Sequence, residues 1–307
     1  MELDAGVSAS DGLDGGAGAS EGLDGGAGAS EEQRAVLAWA ASNRRDLPWR
    51  ATRDPWAVLV CEVMLHQSQV DRVVPRWRRF LDRWPDTASC ASASLGDVLG
   101  EWHGLGYPRR ARALHASAEM VEQEHGGRFP DQLDELLRLP GVGPYTARAV
   151  LAFAFGRDAA VLDTNVGRIL ARRAGTALPA RDAQAMADEW VPRGSGWEWN
   201  QGLLDVGATR CRPRAPRCED CPVAPWCGWY LGGRPEPDPA AGSAAVSRRQ
   251  ARFEGSARQA RGRVLAALLD RPLAADDVAA HAPSVVESLV ADGLVERLDD
   301  GTIRLPR

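Results

Sequence analysis

The sequence contains no lysine, and all 37 of its basic residues are arginine. No lysine side chain can therefore form a Schiff base with a substrate. No stretch approaches the roughly 18 consecutive apolar residues of a membrane-spanning helix, and the N-terminus MELDAGVSAS lacks the basic and apolar regions of a secretory signal peptide. These absences exclude Schiff-base catalysis by lysine and a membrane-spanning protein, and they favour a cytoplasmic location.

Acidic residues are distributed unevenly along the chain. The net charge is -5, but the first 32 residues hold eight of the 42 acidic residues and no arginine. The remaining chain carries 34 acidic residues against 37 arginines, which is a weak indication of an anionic partner. Residues 1–30 contain decapeptide repeats rich in Gly and Ala and no aromatic side chain, so we expect them to form a disordered tail.

Alternation with a period of two residues is nearly absent before residue 290, whereas apolar residues recur at helical spacing from Glu31 onward. This pattern predicts an all-α body over residues 31–231. Residues 232–247 are rich in Pro and Gly and are predicted to form a linker. Residues 248–307 predict helices followed by a hairpin with an Asp-Asp-Gly turn, which together suggest a small winged-helix-like module. Such a module either binds DNA or is a structural addition.

Four of the six cysteines form a C-x6-C-x2-C-x5-C run: Cys211, Cys218, Cys221 and Cys227. Disulfides are disfavoured in a cytosolic protein, and four thiolates within 17 residues can hold one metal centre. On this chemistry both zinc and an iron–sulfur cluster remain open. Cys61 and Cys90 lie apart from the run, and we expect them to be buried or incidental thiols.

A short Gly-rich segment, Leu139-Pro-Gly-Val-Gly-Pro-Tyr-Thr, separates two predicted helices. Gly141 and Gly143 allow a tight turn whose N–H groups point outward at a helix N-terminus, where a phosphate is favoured. About 20 residues later, Asp163 in the segment Leu-Asp-Thr-Asn is positioned to cap the next helix. Taken alone, the first feature is also explained by a tight corner between helices, and the second by capping.

In this order, the hairpin, the Asp163 segment and the cysteine run resemble the helix-hairpin-helix DNA glycosylase superfamily with its [4Fe-4S] loop at residues 211–227. The resemblance spans residues 33 to about 231. It is strongest to the adenine glycosylases of the MutY type. The segments that carry it are Leu47–Arg50, Glu62–Val70, Gly104–Tyr107, LPGVGPYTA and LDTNVGRIL. It implies an all-α fold of two lobes, a [4Fe-4S] cluster on the four cysteines, and removal of adenine paired with 8-oxoguanine or guanine.

The resemblance also implies roles for individual residues. Asp163 would stabilise the sugar cation, Glu62 would protonate the departing adenine, and Tyr145 and Asn165 would support these carboxylates. This agrees with the chemistry, since breaking an N-glycosidic bond needs a negative charge near the sugar and a proton for the base. Asp163 at a helix N-terminus is favoured in its ionised form. Glu62 follows Val58 and Leu59 in an apolar run, so burial should raise its pKa.

Other residues are expected to contact DNA. By the same resemblance Tyr107 would enter the duplex as a wedge near the opposite base, and Gln67 would fill the vacated stack. The adenine must leave the stack to reach the carboxylates, which implies base flipping. Trp49, Arg50 and Leu65 would line the adenine pocket or its rim, and Gly141 and Gly143 belong to the DNA-binding hairpin. His66 stands where the family usually has Gln, and it could still form a hydrogen bond with a base.

Tyr145 stands where the glycosylases with lyase activity have a lysine, so we expect a glycosylase without an efficient lyase step. One alternative is a glycosylase that removes thymine or uracil opposite guanine, since such relatives also have Tyr here; the Glu62 segment and Gln67 favour adenine. Another is a non-catalytic iron–sulfur DNA-binding protein, which would not need both carboxylates. A NUDIX-like domain, which often recognises 8-oxoguanine in this family, does not fit residues 248–307. We expect a monomer, associated with the nucleoid, whose partner is duplex DNA.

The cysteine spacing leads to a testable prediction about the metal. Protein purified without oxygen should be yellow-brown, absorb broadly in the region of sulfur-to-iron charge transfer, and contain about four irons per chain. Metal analysis of the purified protein measures this directly. A colourless protein with one zinc per chain would contradict the prediction.

Overall fold

The computed structural model describes residues 28–243, 252–274, 277 and 283–307. Almost all regular structure in these residues is helical, as the sequence predicts. None of the helices in these ranges is long and apolar enough to cross a membrane. The predicted disordered tail lies outside the described residues except for residues 28–30, where Ser30 caps the first helix in a capping box with Gln33.

The helices and strands of the described ranges follow in chain order. The α-helices are α1 (Glu31–Asn43), α2 (Pro55–Leu65), α3 (Val70–Arg83), α4 (Thr87–Ala91), α5 (Leu95–Trp102), α6 (Arg109–His125), α7 (Leu133–Leu136), α8 (Pro144–Phe153), α9 (Thr164–Ala174), α10 (Ala180–Trp190), α11 (Gly196–Thr209), α12 (Gly228–Leu231), α13 (Ala257–Asp270) and α14 (Pro283–Ala291). Short 3-10 helices span Pro48–Ala51, Ala224–Trp226 and Pro239–Gly242, and strands β1 (Glu296–Arg297) and β2 (Ile303–Arg304) pair antiparallel.

Local sequence explains where these helices start and stop. Asp54 accepts hydrogen bonds from the first N–H groups of α2, and Pro55 at the first helical position suits the fixed φ of proline. Gly175 adopts φ 71° at the end of α9, a left-handed conformation that glycine reaches without steric cost. The short connections between helices keep neighbours adjacent in space.

Two hydrophobic cores divide the body into lobes. One core includes residues of α2, α3, α5, α6 and α8, among them the fully buried Met64 and Phe80. The other includes residues of α1, α9, α10 and α11, with Trp190 and Trp199 in edge-to-face contact at 4.9 Å between ring centroids. Leu204 of α11 packs against both cores. The first lobe carries Glu62 and Tyr145 and the second carries Asp163, so a site built from them spans the junction.

The C-terminal region contains α13, α14 and the β1–β2 hairpin, in addition to a bridge between Leu273 and Ile303. Its apolar residues, including Leu268 and Ile303, belong to the same core as Trp102 of the body. The N–H of Gly96 donates to the carbonyl of Pro306 at 2.8 Å. The elements match the predicted helices and hairpin, while the winged-helix assignment itself stays a prediction.

The predicted linker lies partly against the body. Within residues 232–243, Asp238 forms an ion pair with Arg172 of α9 at 2.6 Å, and Pro239 and Ala240 are buried. The indole Nε1 of Trp229 donates to the carbonyl of Pro235 at 2.9 Å. Sequence composition missed these contacts because a Pro- and Gly-rich segment has no apolar period to indicate packing. The rest of the predicted linker, residues 244–247, lies outside the described ranges.

A buried ion pair joins the segment before α2 to α11. The carboxylate of Asp205, which is fully buried, accepts from the guanidinium of Arg50 at 2.7 and 3.0 Å. It also accepts from the backbone and side chain of Arg45 at 3.0 and 2.5 Å. Burial raises the pKa of Asp205, but the hydrogen bonds from Arg50 and Arg45 together hold this pKa below its ordinary value. Asp205 is thus ionised and fully paired.

Replacing this carboxylate tests how much the junction depends on it. Asp205→Asn keeps the shape but leaves the buried Arg50 without a counter-charge, so we expect a loss of about 3–5 kcal/mol in the free energy of unfolding. Asp188→Asn, which breaks the more exposed pair with Arg148, should cost about 0–1 kcal/mol. Urea unfolding of both variants measures the difference. Equal losses would show that the Asp205 pair has no special role.

Candidate active site

Glu62 occupies a buried position on α2, with only 6% of its surface exposed. The phenol of Tyr145, on α8, donates to its Oε2 at 2.8 Å. In the described part of the chain no ion pair to this carboxyl is found. The sequence expectation of an acid on an apolar helix is confirmed for burial, and Tyr145 lies beside it as the resemblance implied.

Burial determines the proton affinity of Glu62. Loss of water around the carboxyl raises its pKa to about 7, the hydrogen bond from Tyr145 acts in the opposite direction, and the charge of Asp163 raises the pKa further. The carboxyl therefore holds a proton near neutral pH and can release it to a base. The same burial, together with the neighbouring Glu62, raises the pKa of the Tyr145 phenol well above its ordinary value, which keeps Tyr145 a proton donor in this hydrogen bond.

Asp163 is the N-cap of α9, as its sequence position predicts. Its Oδ1 accepts from the backbone N–H groups of Asn165 and Val166, both at 2.7 Å, and its Oδ2 accepts from the side-chain amide of Asn165 at 2.7 Å. Burial raises the pKa of Asp163, and these bonds lower it again without fully offsetting burial. The expected effect of the helix N-terminus is present, but desolvation is larger than sequence reasoning allowed.

Arg168 fixes the orientation of the Asn165 side chain, and the sequence analysis did not identify it. Arg168, one turn along α9, donates to Asn165 Oδ1 at 2.8 Å, so the amide nitrogen must face Asp163. Arg168 also donates to the carbonyls of Gly207 at 2.7 Å and of Cys211 at 2.5 Å. The spacing of Arg168 three residues after Asn165 could have suggested this contact.

Gly207 of α11 lets α9 approach at this point. A Cβ at Gly207 would lie 2.4 Å from the Cβ of Asn165, well inside van der Waals contact. The glycine is therefore required for Asn165 to reach Asp163. A glycine inside a helix carries no obvious signal in the sequence, because its reason is a contact with a distant segment.

His66 follows α2 directly and lies beside Tyr145 and Thr146 of α8. Its Nε2 lies 3.3 Å from the hydroxyl of Thr146, and its ring is 5.9 Å from that of Tyr145. Burial lowers the pKa of His66, and the charge of Arg110 lowers it further. His66 is consequently neutral, with a ring that can form hydrogen bonds at the edge of the site, which agrees with the sequence expectation for its chemistry.

Gln67 and Tyr107 share an unusual backbone. Both are non-glycine residues in the left-handed region, with φ 58° for Gln67 and φ 49° for Tyr107, and both side chains are exposed. Such conformations cost of order 1–3 kcal/mol and are found at functional sites. Arg110 holds the two loops together, since it donates to the carbonyl of His66 at 2.7 Å and to that of Gly106 at 3.1 Å. The two predicted DNA-entering residues thus extend from one braced surface.

The three residues predicted to line the adenine pocket, Trp49, Arg50 and Leu65, differ in burial and in their contacts. Trp49 is buried and packs on the Trp77 ring at 6.0 Å between centroids, and Leu65 is half-buried against the same core. Arg50 donates to Asp205 and to the carbonyl of Arg45, so its guanidinium already has structural partners. The contact of these three residues with adenine stays a prediction.

Of the two glycines in the hairpin before α8, Gly141 has a left-handed backbone and Gly143 does not. Gly141 adopts φ 76°, and a Cβ there would lie 2.7 Å from Ala113 Cβ. Gly143, the N-cap of α8, is extended and has open space around its Cα. The hydroxyl of Ser117 donates to the carbonyl of Pro140 at 2.7 Å and fixes the turn on α6. The predicted tight turn therefore depends on Gly141, while Gly143 leaves the helix N-terminus accessible.

The four cysteines of the run line one cavity under α9. Within the described ranges no three His, Cys, Asp or Glu side chains lie close enough to share one metal ion. Four cysteine thiolates are the donor set of a four-iron cluster, and the residues around this cavity supply that set. Arg172 borders the cavity, with a nitrogen 3.4 Å from Cys211 Sγ.

The comparisons with known proteins agree with this geometry. Residues 60–193 match the HhH-GPD superfamily of base excision DNA repair proteins. The chain is 41% identical over 287 residues to the adenine DNA glycosylase of Mycobacterium tuberculosis, covering 88% of this chain and 92% of that protein. It is 38% identical over 208 residues to the human adenine DNA glycosylase, covering 63% of this chain and 38% of the relative.

Two solved structures are also similar. A thermostable thymine-DNA glycosylase is 31% identical, with 65% of this chain and 95% of that chain covered and a TM-score of 0.61. An endonuclease III trapped on DNA is 22% identical, with 67% and 100% covered and a TM-score of 0.57, which shows the shared fold.

The helical fold and these matches place the chain among the DNA glycosylases of the helix-hairpin-helix class. Within this class the chain belongs to the adenine DNA glycosylase family. The match to the mycobacterial relative extends over nearly the whole of that protein.

The Glu62–Tyr145 contact leads to a prediction about pH. The roles predicted from the sequence require Glu62 to be protonated and Asp163 to be ionised. The rate should therefore fall on both sides of an optimum, with the alkaline limb near the Glu62 pKa of about 7. Tyr145→Phe removes the bond that lowers this pKa, so the alkaline limb should move to higher pH. Single-turnover rates across pH on an adenine-containing duplex measure the shift.

The acid limb is the internal control for this experiment. It reports Asp163, whose pKa is set by burial and by Val166 and Asn165 and not by Tyr145. It should stay in place in the Tyr145→Phe variant. An alkaline limb that stays fixed or moves to lower pH would contradict the role of Glu62 as the acid.

Proposed function

We propose that this enzyme removes adenine paired with 8-oxoguanine or guanine in duplex DNA, and that its reaction ends at base release. The observation that carries the proposal is the different settings of two carboxyl groups, Glu62 buried and Asp163 half-buried. Glu62 accepts a hydrogen bond from Tyr145 and has a pKa raised to about 7, whereas Asp163 accepts hydrogen bonds from two backbone N–H groups and one side-chain amide. The two groups can therefore differ in protonation at the same pH.

The proposed chemistry uses both groups. The bond between the sugar C1′ and the adenine nitrogen breaks, its electron pair leaves with the base, and Glu62 supplies the proton that neutralises the departing adenine. The sugar becomes a cation, which the carboxylate of Asp163 stabilises until water adds to C1′. The proton that the water loses returns to the Glu62 carboxylate, which restores its acid form. Asn165, held by Arg168, keeps Asp163 aimed at one place. Without a lysine the chain has no side-chain amine to continue to strand cleavage.

The two loops with left-handed residues are proposed to handle the duplex. The exposed Tyr107 would enter the stack and the exposed Gln67 would occupy the space left by the flipped adenine. Neutral His66, next to Gln67, is in reach of the same opening and would offer a hydrogen bond to a base. The fixed backbone of both loops, braced by Arg110, limits the ordering that DNA binding requires.

We also propose that Cys211, Cys218, Cys221 and Cys227 hold a [4Fe-4S] cluster. When bound, the cluster would hold the loop closed through its four cysteine ligands and would tune the local charge. The chain's own residues then connect this loop to the site, because Arg168 bonds both to Cys211 and to Asn165. Arg214 and Arg217, which interleave the cysteines, are exposed and placed to contact phosphate.

A second candidate is removal of thymine or uracil opposite guanine. It is favoured by the 31% identity to a thymine-DNA glycosylase with the same fold. The mycobacterial adenine glycosylase matches at 41% identity over 88% of the chain, which is why adenine is the proposed substrate.

Incubation with a panel of duplexes tests the proposal. Adenine should be released from A:8-oxoG and A:G, with no release from T:G or U:G, and strand breaks should appear only after hot alkali. Asp163→Asn and Glu62→Gln should each reduce the single-turnover rate by roughly 10² to 10⁴-fold with DNA binding retained, since neither amide supplies the charge or the proton.

Asp86→Asn is the matched control, because Asp86 caps α4 by the same kind of bond and lies outside the site. This variant should keep the wild-type rate. Release of thymine in place of adenine would replace the proposed substrate with the second candidate, and strand breaks without alkali would refute the end at base release.

A further inference from the structure

The segment after the fourth cysteine, residues 234–243, forms a strap between the cysteine loop and the segment that follows α9. At its start, Arg234 forms an ion pair with Glu219 of the cysteine loop at 2.6 Å. At its end, the hydroxyl of Ser243 accepts from the N–H of Leu178 at 3.0 Å. The strap lies in the region whose composition predicts a linker, and it is attached to the body at both ends.

The middle of the strap binds Arg172, a residue of α9 that is only 3% exposed. The carboxylate of Asp238 accepts from Nε of this guanidinium at 3.2 Å and from its Nη2 at 2.6 Å. Nη1 donates to the carbonyl of Arg212 at 2.8 Å and to the sulfur of Cys211 at 3.4 Å. Because a guanidinium is planar, the bidentate pair with Asp238 fixes the direction in which Nη1 points.

The strap also holds Trp229, which lies against the other side of this arrangement. The guanidinium carbon of Arg172 is 4.7 Å from the Trp229 ring centroid, and the indole Nε1 donates to the carbonyl of Pro235 at 2.9 Å. Arg172 and Trp229 both line the cavity around the four cysteines. The strap therefore reaches this cavity through two side chains that it keeps in place.

We propose that the strap is part of the cluster site, and that Asp238 is a positioning residue that holds Arg172 on Cys211 and so controls how firmly the cluster is retained. This role rests on the proposed function, because it takes the four cysteines to hold a [4Fe-4S] cluster. As a cluster ligand Cys211 is a thiolate, and a cationic donor held at its sulfur stabilises that negative charge. Residues that orient a metal ligand in this way contribute strongly to metal affinity.

The order of charges gives the role of Asp238 a second consequence. The carboxylate of Asp238, the guanidinium of Arg172 and the sulfur of Cys211 follow one another, so the cluster would feel both a positive and a negative side chain. The reduction potential of an iron–sulfur cluster depends on nearby charge and on hydrogen bonds to its sulfurs. Asp238 and Arg172 should therefore act on this potential in opposite directions.

The test of cluster retention compares two ion pairs on neighbouring residues of α9. Asp238→Ala releases Arg172, whereas Glu32→Ala releases Arg173, whose guanidinium donates to the Glu32 carboxylate at 2.6 and 2.7 Å. The full chain is purified without oxygen, shown to be folded by circular dichroism, and mixed with an excess of an iron chelator. The fading of its visible absorbance gives the rate of cluster loss.

Asp238→Ala should lose the cluster roughly 10- to 100-fold faster than the wild type, as expected when a residue that orients a metal ligand is removed. Glu32→Ala should lose it at the wild-type rate, although it too lacks an ion pair of α9. Asp238→Asn keeps an acceptor for Arg172 and for the backbone of the strap. It should show a smaller increase, and it serves if the alanine variant does not fold.

The reduction potential distinguishes this role from one in packing alone. Asp238→Asn removes a negative charge, which favours an added electron, so the potential should rise. Arg172→Gln removes a positive charge and keeps an N–H donor, so the potential should fall. Voltammetry of the adsorbed protein measures both shifts. Loss of packing by itself gives no reason for shifts in opposite directions.

Two results would overturn the role of Asp238. One is an equal rate of cluster loss in the two alanine variants, and the other is a shift of the potential in the same direction for Asp238→Asn and Arg172→Gln. Either result leaves the proposed function standing, provided that the wild type contains about four irons per chain. A wild type without iron would refute the proposed cluster and the role of the strap together, whereas adenine release is measured independently of both.

Discussion

The site depends on one constraint, a buried carboxyl group that has no ion-pair partner among the described residues. Glu62 has Tyr145 as its hydrogen-bond donor, and burial raises its pKa to about 7. This setting is costly for an ionised carboxylate, so it persists only because α2 and α8 pack rigidly around it. Asp163, which raises the Glu62 pKa further, lies on the other lobe. The relative position of the two lobes must therefore be fixed for Asp163 to influence the pKa of Glu62.

Arginine side chains make the contacts that hold the two lobes in this relative position. Asp205 of α11 accepts from Arg50, which precedes α2, and so connects the lobes through a buried, fully paired charge. On α9, Arg168 bonds at once to Asn165 and to the carbonyl of Cys211. The planar guanidinium can satisfy several acceptors in fixed directions, which a flexible ammonium group does not do. A chain without lysine is well supplied with such connections.

Much of this arrangement is readable from the sequence because it is local. The run of apolar residues around Glu62 indicates its burial, and the position of Asp163 before a helical period indicates its capping. The cysteine spacing indicates a metal centre. Contacts between segments that are distant in the chain could not be predicted from the sequence. Gly207 appears as an ordinary helical glycine until Asn165 is placed against it, and Arg258 lies 151 residues from the Tyr107 ring that it contacts. The same holds for residues 232–243, whose packing leaves no period in the sequence.

The shared core of body and C-terminal region has a consequence for cooperativity. Trp102, Leu268 and Ile303 lie in one continuous apolar cluster, so neither part has a complete hydrophobic interior of its own. Local opening of α13 would expose apolar surface on α5, and the two parts should exchange their amide hydrogens as a single cooperative unit. The surface around Tyr107 should then open only together with this cooperative unit, although Tyr107 itself lies in an exposed loop.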